Sequence, residues 1–529
     1  MRPLRIYLTL SGGASLGAYE AGAAGAVCLA VRRLATEEEA EVGIDAVGGA
    51  SAGSIVGLLG SYALVEGLDP VELLHEAWVE QVSLELLRGT DSRAPLTFDK
   101  LRERIPELLE PGNRRSSDAG PQERPIAFHV ELTGLQGLTY PISGLRRDHP
   151  MAGATYSDWG RFELRPRGGI DQVVRPPQRS PLDFVLASAA SPGGFAPQLL
   201  DRRPDADGYR ERGIQDFPES GCLWYTDGGL LGSQPLGRVI AAGEALHGSD
   251  TDAMRLQLLV NPRSEVPAGG SEWADPDHEP TWQEGLSRAL AILSEQGMFD
   301  DLRRIEKDNT RLEWADQLVE ALAPQIKRGG TRRMRAVLER IDADREGMRR
   351  DEPGGPSERE RPSEGAGPEE LLRAVVEEIA GVARKDRIAA DVISPLLLSE
   401  RGGADVQSLL AGEFMGDFDG FLSRELRISD FALGYESATE WLREGLPHCG
   451  IDGKALERTV DAVERRRPYD PDSVRKGEAS ISDLDLRDRF QLVRLGLHMA
   501  RVAGAEVVTS RARIRDSLGE WLGRVRGRD

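Results

Sequence analysis

Ser51 stands in Gly49-Ala50-Ser51-Ala52-Gly53, between the apolar runs Ile44-Asp45-Ala46-Val47 and Ile55–Leu59. A sharp strand-to-helix turn at this point exposes a serine for nucleophilic attack. It also strains the serine backbone and admits only small neighbours. Gly49 and Gly53 supply them. The helix N-terminus beneath the serine favours developing negative charge. Acyl-ester hydrolysis is the chemistry this suits. The same residues fit a tight turn whose buried serine caps a helix. Since 60 of the 529 residues are glycine, the Gly-x-Ser-x-Gly match decides little alone.

Two further segments bear on it. Ser11-Gly12-Gly13-Ala14-Ser15-Leu16-Gly17 follows the first apolar run. Glycines there let the backbone approach a ligand and aim N–H groups at it, as an oxyanion hole requires. Phosphate loops use the same physics but fail here. Ala14 replaces the second glycine of Gly-x-Gly-x-x-Gly, and in Gly48–Ser54 the lysine position of a nucleotide P-loop is Ser54. The third segment is Thr226-Asp227-Gly228-Gly229, at the end of Leu223-Trp224-Tyr225. A carboxylate held close and desolvated has its pKa raised towards neutrality and serves as a serine's base. An Asp-Gly pair by itself is far more often an ordinary turn.

Together these pieces resemble the patatin-like phospholipase family. Ser11–Gly17 matches its oxyanion loop, Gly49–Gly53 its nucleophile elbow, and Asp227–Gly229 its Asp-Gly-Gly, in the family's order. Ala187-Ser188 through Pro192 to Phe195 and Pro197 matches the block preceding the family's aspartate. The resemblance spans roughly residues 5–262. It implies a three-layer α/β/α domain with a mainly parallel sheet, and a Ser–Asp dyad of Ser51 and Asp227. It also implies an oxyanion hole from the amides of Gly12, Gly13 and Ala14, an acyl-enzyme intermediate, and a lipid or fatty acyl ester substrate. No metal or organic cofactor is implied. Ala14 and Leu16 depart from the pattern, standing where the family has its third glycine and its basic residue. A bacterial patatin-related subgroup is similar in carrying Gly-Gly-x-Ser-Leu there and a long helical C-terminal region. Arg427–Gly434 resembles a segment of that subgroup.

The elements that must position these residues are legible as alternation. Leu4, Ile6, Leu8 and Leu10 read as a strand, followed by a glycine turn, a helix from about Ala18, a strand at Ile44–Val47, a second glycine turn and a helix from about Ser54. This is a βαβ unit with parallel strands. Ile126–Leu132 and Leu256–Val260 read as further strands, and Arg146–Pro150 and Arg165–Arg179 as long surface loops or a cover. From Trp282 the spacing of Leu286, Leu290 and Leu293 is helical, to about Met348. Residues 349–368 have the composition of a disordered linker. Helical periodicity then resumes. The expected plan is an acyl hydrolase domain at 1–280, a helical extension at 281–348, the linker, and a mostly α-helical C-terminal domain at 369–529.

A net charge of −21 argues against nucleic-acid binding and against attraction to anionic lipid. The three cysteines, Cys28, Cys222 and Cys449, form neither a zinc spacing nor a disulfide framework, which fits a reducing cytoplasm. Ala21–Val31, the longest small and apolar stretch, is too short to span a bilayer. Arg511–Arg528 with Leu518, Trp521 and Leu522 makes the tail a candidate for peripheral membrane contact.

Two rival readings follow from the same residues. Ser51, Asp227 and His247 stand in the order of a Ser–Asp–His triad. His75 and His129 fit helix-surface or strand positions. Alternatively, the fold is a catalytically weak or inactive scaffold. Its C-terminal half would then bind a partner through Phe414, Phe418, Phe421 and Trp441, aromatics that fit a core equally well.

Overall fold

In the computed structural model of the chain, the residues described are 2–88, 94–110, 120–142, 151–166, 174–175, 180–214, 216–248, 253–263, 282–325, 332–340, 366–380, 387–398, 410, 418–474, 484–485, 488–498 and 501. Their strands are β1 (Leu4–Leu10), β2 (Val42–Gly49), β3 (Ile126–Ile142), β4 (Met151–Leu164), β5 (Val174–Arg175), β6 (Gln198–Asp201), β7 (Cys222–Thr226), β8 (Met254–Val260) and β9 (Ile388–Ile393). They form one sheet in the order β5-β4-β3-β2-β1-β8-β9, with β7 joining β3 to β6. The β3-β2-β1-β8-β9 stretch is parallel, and the β3–β4, β4–β5, β3–β7 and β6–β7 pairings are antiparallel.

The helices used below are α1 (Gly17–Thr36), α2 (Ser51–Glu66), α3 (Pro181–Ser188), α4 (Leu236–His247), α5 (Trp282–Leu322), α6 (Arg424–Glu444) and α7 (Gly453–Arg465). The strand period of two decides which helix covers which face. Leu4, Ile6, Leu8 and Leu10 of β1 join the core cluster of α1 and α2. Tyr7 points the other way, into a cluster with Ala46, Ala127 and Val239 and Ile240 of α4. Helices therefore cover both faces, and the expected α/β/α layering with a mainly parallel sheet is present.

The structure adds four strands that the sequence reading omitted. β4 follows the segment at Arg146–Pro150, which lies outside the described residues, β5 pairs with β4 inside the expected loop Arg165–Arg179, and β6 pairs with β7. The fourth addition corrects the domain plan. β9, within the segment expected to be a helical domain, pairs in parallel with β8 at the edge of the central sheet. Only Ile388 and Ile393 of β9 are buried, so an edge strand this short shows no alternation to read.

The rest of the C-terminal region shares the same core. Phe431, Tyr435 and Trp441 of α6 belong to the cluster that contains Leu29 and Val31 of α1. The two helices touch through glycines. A Cβ at Gly22 would lie 2.0 Å from the Phe431 carbonyl oxygen, and one at Gly434 would lie 1.9 Å from that of Tyr19. Arg466, just past α7, also ties the C-terminal region to Asp69, just past α2, with hydrogen bonds of 2.9 and 2.6 Å.

Residues Ala14–Thr36 are helical over a length and hydropathy sufficient to cross a membrane, longer than the apolar stretch read from sequence, and are almost entirely buried inside the fold. Residues 349–365 of the expected linker, most of Lys327–Arg335's first half, Phe414 and the basic tail from 502 lie outside the described residues.

Candidate active site

The elbow is built where β2 ends at Gly49 and α2 begins at Ser51 itself. Ser51 has φ +51°, in the left-handed region that costs a non-glycine residue about 1–2 kcal/mol. The end of β1 runs directly beneath. A Cβ at either Gly49 or Gly53 would stand 2.6 Å from the Leu10 carbonyl oxygen, so neither position tolerates a side chain.

Asp227 follows β7, which sits beside β3 in the same sheet. The Ser51 hydroxyl donates to Asp227 Oδ2 at 2.9 Å. The other carboxylate oxygen, Oδ1, accepts the Gly229 amide at 2.8 Å. The Asp227 amide donates to Ala190 O at 3.0 Å, as does that of Gly228 to Ser188 O at 3.0 Å. Burial raises the Asp227 pKa to about 6, against the opposing pull of the Gly229 amide and the Ser51 hydroxyl.

Ser188, at the end of α3, has a role the sequence reading did not assign. Its hydroxyl accepts the Ser51 amide at 2.9 Å and donates to the Glu131 carbonyl of β3 at 2.7 Å. One side chain thus ties the elbow, the sheet and the segment leading to Asp227.

The glycine-rich turn lies against the elbow: a Cβ at Gly12 would meet Ser51 Cβ at 3.0 Å. Gly12, Gly13 and Ala14 all have positive φ, at +83°, +145° and +46°. The three amides are not equivalent. That of Gly12 donates to Glu20 Oε1 at 2.6 Å, a buried carboxyl that also receives the Ser11 hydroxyl at 3.2 Å. This corrects the expectation of three available donors. The Gly13 and Ala14 amides have no hydrogen-bond partner among the described residues. Glu20 was not singled out from sequence. Its only signal is an acidic residue in the apolar run Gly17–Val31. Burial raises its pKa to about 8. Leu16, in the place of the basic residue, is buried in the core.

Ser51 and Ala14 line an apolar cleft whose walls include Ile55, Leu59, Trp78, Phe98 and Phe195. His247 is elsewhere: its Nδ1 is 3.2 Å from Arg124 Nη2 and its Nε2 3.3 Å from the Asp45 carbonyl oxygen. Asp45 lies in β2 well before the elbow, so the triad is not assembled. His129 is buried in β3, 3.1 Å from Glu131 Oε2, and His75 is half-buried with its ring edge-on to Phe431 at 5.2 Å. Of the aromatics proposed as an interaction face, the three described ones turn inward. Phe418 and Phe421 line the cleft, and Trp441 is buried with its Nε1 donating to Asp391 at 2.8 Å. Among the described residues, no group of three or more His, Cys, Asp or Glu is placed to hold a metal ion.

Residues 8–240 match the family model described as patatin-like phospholipase. The chain carries a patatin-like domain. No curated protein matches the chain. The patatin-like domain encloses Gly12, Ser51, Ser188 and Asp227 and ends within α4, whereas Phe418 and Phe421 lie outside it. Its sheet therefore continues into β8 and β9, beyond the matched residues.

Proposed function

We propose that the protein is a serine acyl hydrolase of lipase or phospholipase type, acting through Ser51 and Asp227. The observation that carries this reading is the 2.9 Å hydrogen bond from the Ser51 hydroxyl to Asp227 Oδ2 at the wall of an apolar cleft. The family's description as a phospholipase supports a lipid acyl ester as substrate.

The acyl carbon lies against Ser51 Oγ with its chain along the cleft. Asp227 takes the hydroxyl proton as Oγ forms a bond to the acyl carbon, and the carbonyl electron pair moves onto oxygen. A base with a pKa near 6 is ionised at neutral pH, yet basic enough to accept that proton. The Gly13 and Ala14 amides donate to the oxyanion. Collapse of the tetrahedral intermediate breaks the bond to the alcohol oxygen, which leaves with the proton from Asp227. Water then repeats the sequence on the acyl-enzyme and releases the carboxylic acid.

Hydrolysis of p-nitrophenyl acyl esters tests this reading. Ser51→Ala and Asp227→Asn are each expected to lower kcat/KM by at least about a thousandfold. Equal rates for wild type and Ser51→Ala would overturn it.

A further inference from the structure

The cleft beside Ser51 is finished by residues from the far end of the chain. Phe418 and Phe421 stand in its wall with Ala14, Trp78 and Phe195. Their rings meet edge to face at 5.8 Å, and Phe418 lies 3.7 Å from where a Cβ on Gly194 would be. The segment that carries them is fixed to the glycine-rich turn. The Gly420 amide donates to Ser15 Oγ at 3.0 Å, and a side chain at Gly420 would collide with that hydroxyl. From below, Arg427 of α6 donates to the Gly420 carbonyl at 2.8 Å and to that of Val79 at 3.1 Å. Arg424 pairs with Glu80 through its Nε and Nη2. The anchoring groups are polar and are not part of the cleft lining, whereas the two rings are.

We propose that Phe418 and Phe421 are specificity-determining residues: they form the wall against which the substrate's fatty acyl chain lies, and they set the chain length the Ser51 site accepts. The proposal rests on the reading of Ser51 as the nucleophile. The lining favours hydrocarbon. Among the described residues of the lining, apart from Ser51 and Ser191, only Gln81 and Arg104 are polar, and Arg104 is engaged with Glu107 at 2.7 Å. A charged head group buried among these walls would lack partners, whereas an alkyl chain needs none. The occupant is therefore the acyl chain, and the head group stays at the mouth.

Two measurements on the full-length protein test this. The first is the kcat/KM profile over p-nitrophenyl esters from butyrate to palmitate. The second is calorimetric binding of the corresponding free fatty acids to Ser51→Ala. Phe418→Ala is expected to raise the long-to-short preference by about tenfold, and Phe418→Trp to lower it by a similar factor, since pocket volume discriminates methylenes on this scale. Phe421→Leu, a milder change at a more buried position, is expected to shift the profile in the same direction as Phe418→Ala. Opposite shifts from two variants at one position are not produced by general destabilisation. Retained hydrolysis with an unchanged profile in all three variants overturns the proposal. Absence of Ser51-dependent hydrolysis overturns the proposed function instead. In that case fatty-acid binding whose chain-length preference follows residue 418 upholds the wall, and absence of binding overturns both.

Discussion

The Ser51 amide donates to the hydroxyl of Ser188 at 2.9 Å, and the same hydroxyl donates to the Glu131 carbonyl at 2.7 Å. This two-bond link holds the strained elbow against the sheet. Ser188→Ala leaves a buried amide and a buried carbonyl unpaired, at a cost of about 1–3 kcal/mol in stability. It also frees the Ser51 backbone to shift. The expected kinetic result is a fall in kcat of about tenfold or more with KM little changed, because small misplacements of a nucleophile are costly. Denaturant titration and steady-state esterase kinetics measure the two effects. An unaltered kcat would remove Ser188 from the positioning machinery.

Asp227 makes the activity depend on pH in a defined sense. Its pKa is raised by burial to about 6. As the base it must be ionised, so kcat/KM is expected to rise with pH through about 6 and level off above. A pH–rate profile reads this directly. A flat profile across that interval would contradict Asp227 as the ionising base.

Glu20 links stability to pH. Its pKa stands at 4.5 when unperturbed and is raised to about 8 in the fold. The folded state thus binds the proton more tightly than the unfolded state. The stability this contributes is present in full below 4.5 and is lost as pH rises towards 8. Glu20→Gln keeps an acceptor for the Gly12 amide and removes the titration. Its stability is expected to vary less over that interval than that of wild type. Urea denaturation at several pH values decides the matter, and parallel curves for the two proteins would refute the linkage.

Ala14 carries φ +46°, a conformation that glycine adopts without strain. Ala14→Gly is expected to stabilise the protein by up to about 1 kcal/mol, the left-handed penalty less the entropy glycine adds to the unfolded chain. Activity is expected to persist, since the amide remains. A lowered Tm would show that the alanine methyl packs more favourably than its backbone strains.

Gly434 sits so close to Tyr19 that a methyl group has no room. Gly434→Ala is expected to cost about 3 kcal/mol or more by forcing α6 off α1. Since the two helices share one core, the whole chain should lose stability together. Denaturation followed by tryptophan fluorescence tests this, and a normal midpoint would mean that α6 is not tightly seated.

The sequence alone determined the parts of this protein that depend on local chemistry. Alternation at Leu4–Leu10 fixes a strand, and glycines at 49 and 53 mark a turn that only small residues can enter. The acid before Gly228-Gly229 is marked as a candidate base by residue type and order. Such signals survive in one dimension because backbone sterics and the two-residue strand period act between near neighbours. Tertiary structure decided what depends on segments far apart along the chain. It brought Ser51 to Asp227, gave Ser188 its partners, and turned His247 towards Arg124. It also set β9 beside β8 and placed Phe418 and Phe421 against a cleft begun by Ser51. Nothing in the periodicity around residues 388 or 418 marks those destinations, because an edge strand and a pair of aromatics have the same pattern whichever surface they cover. Packing against one shared core supplied the choice.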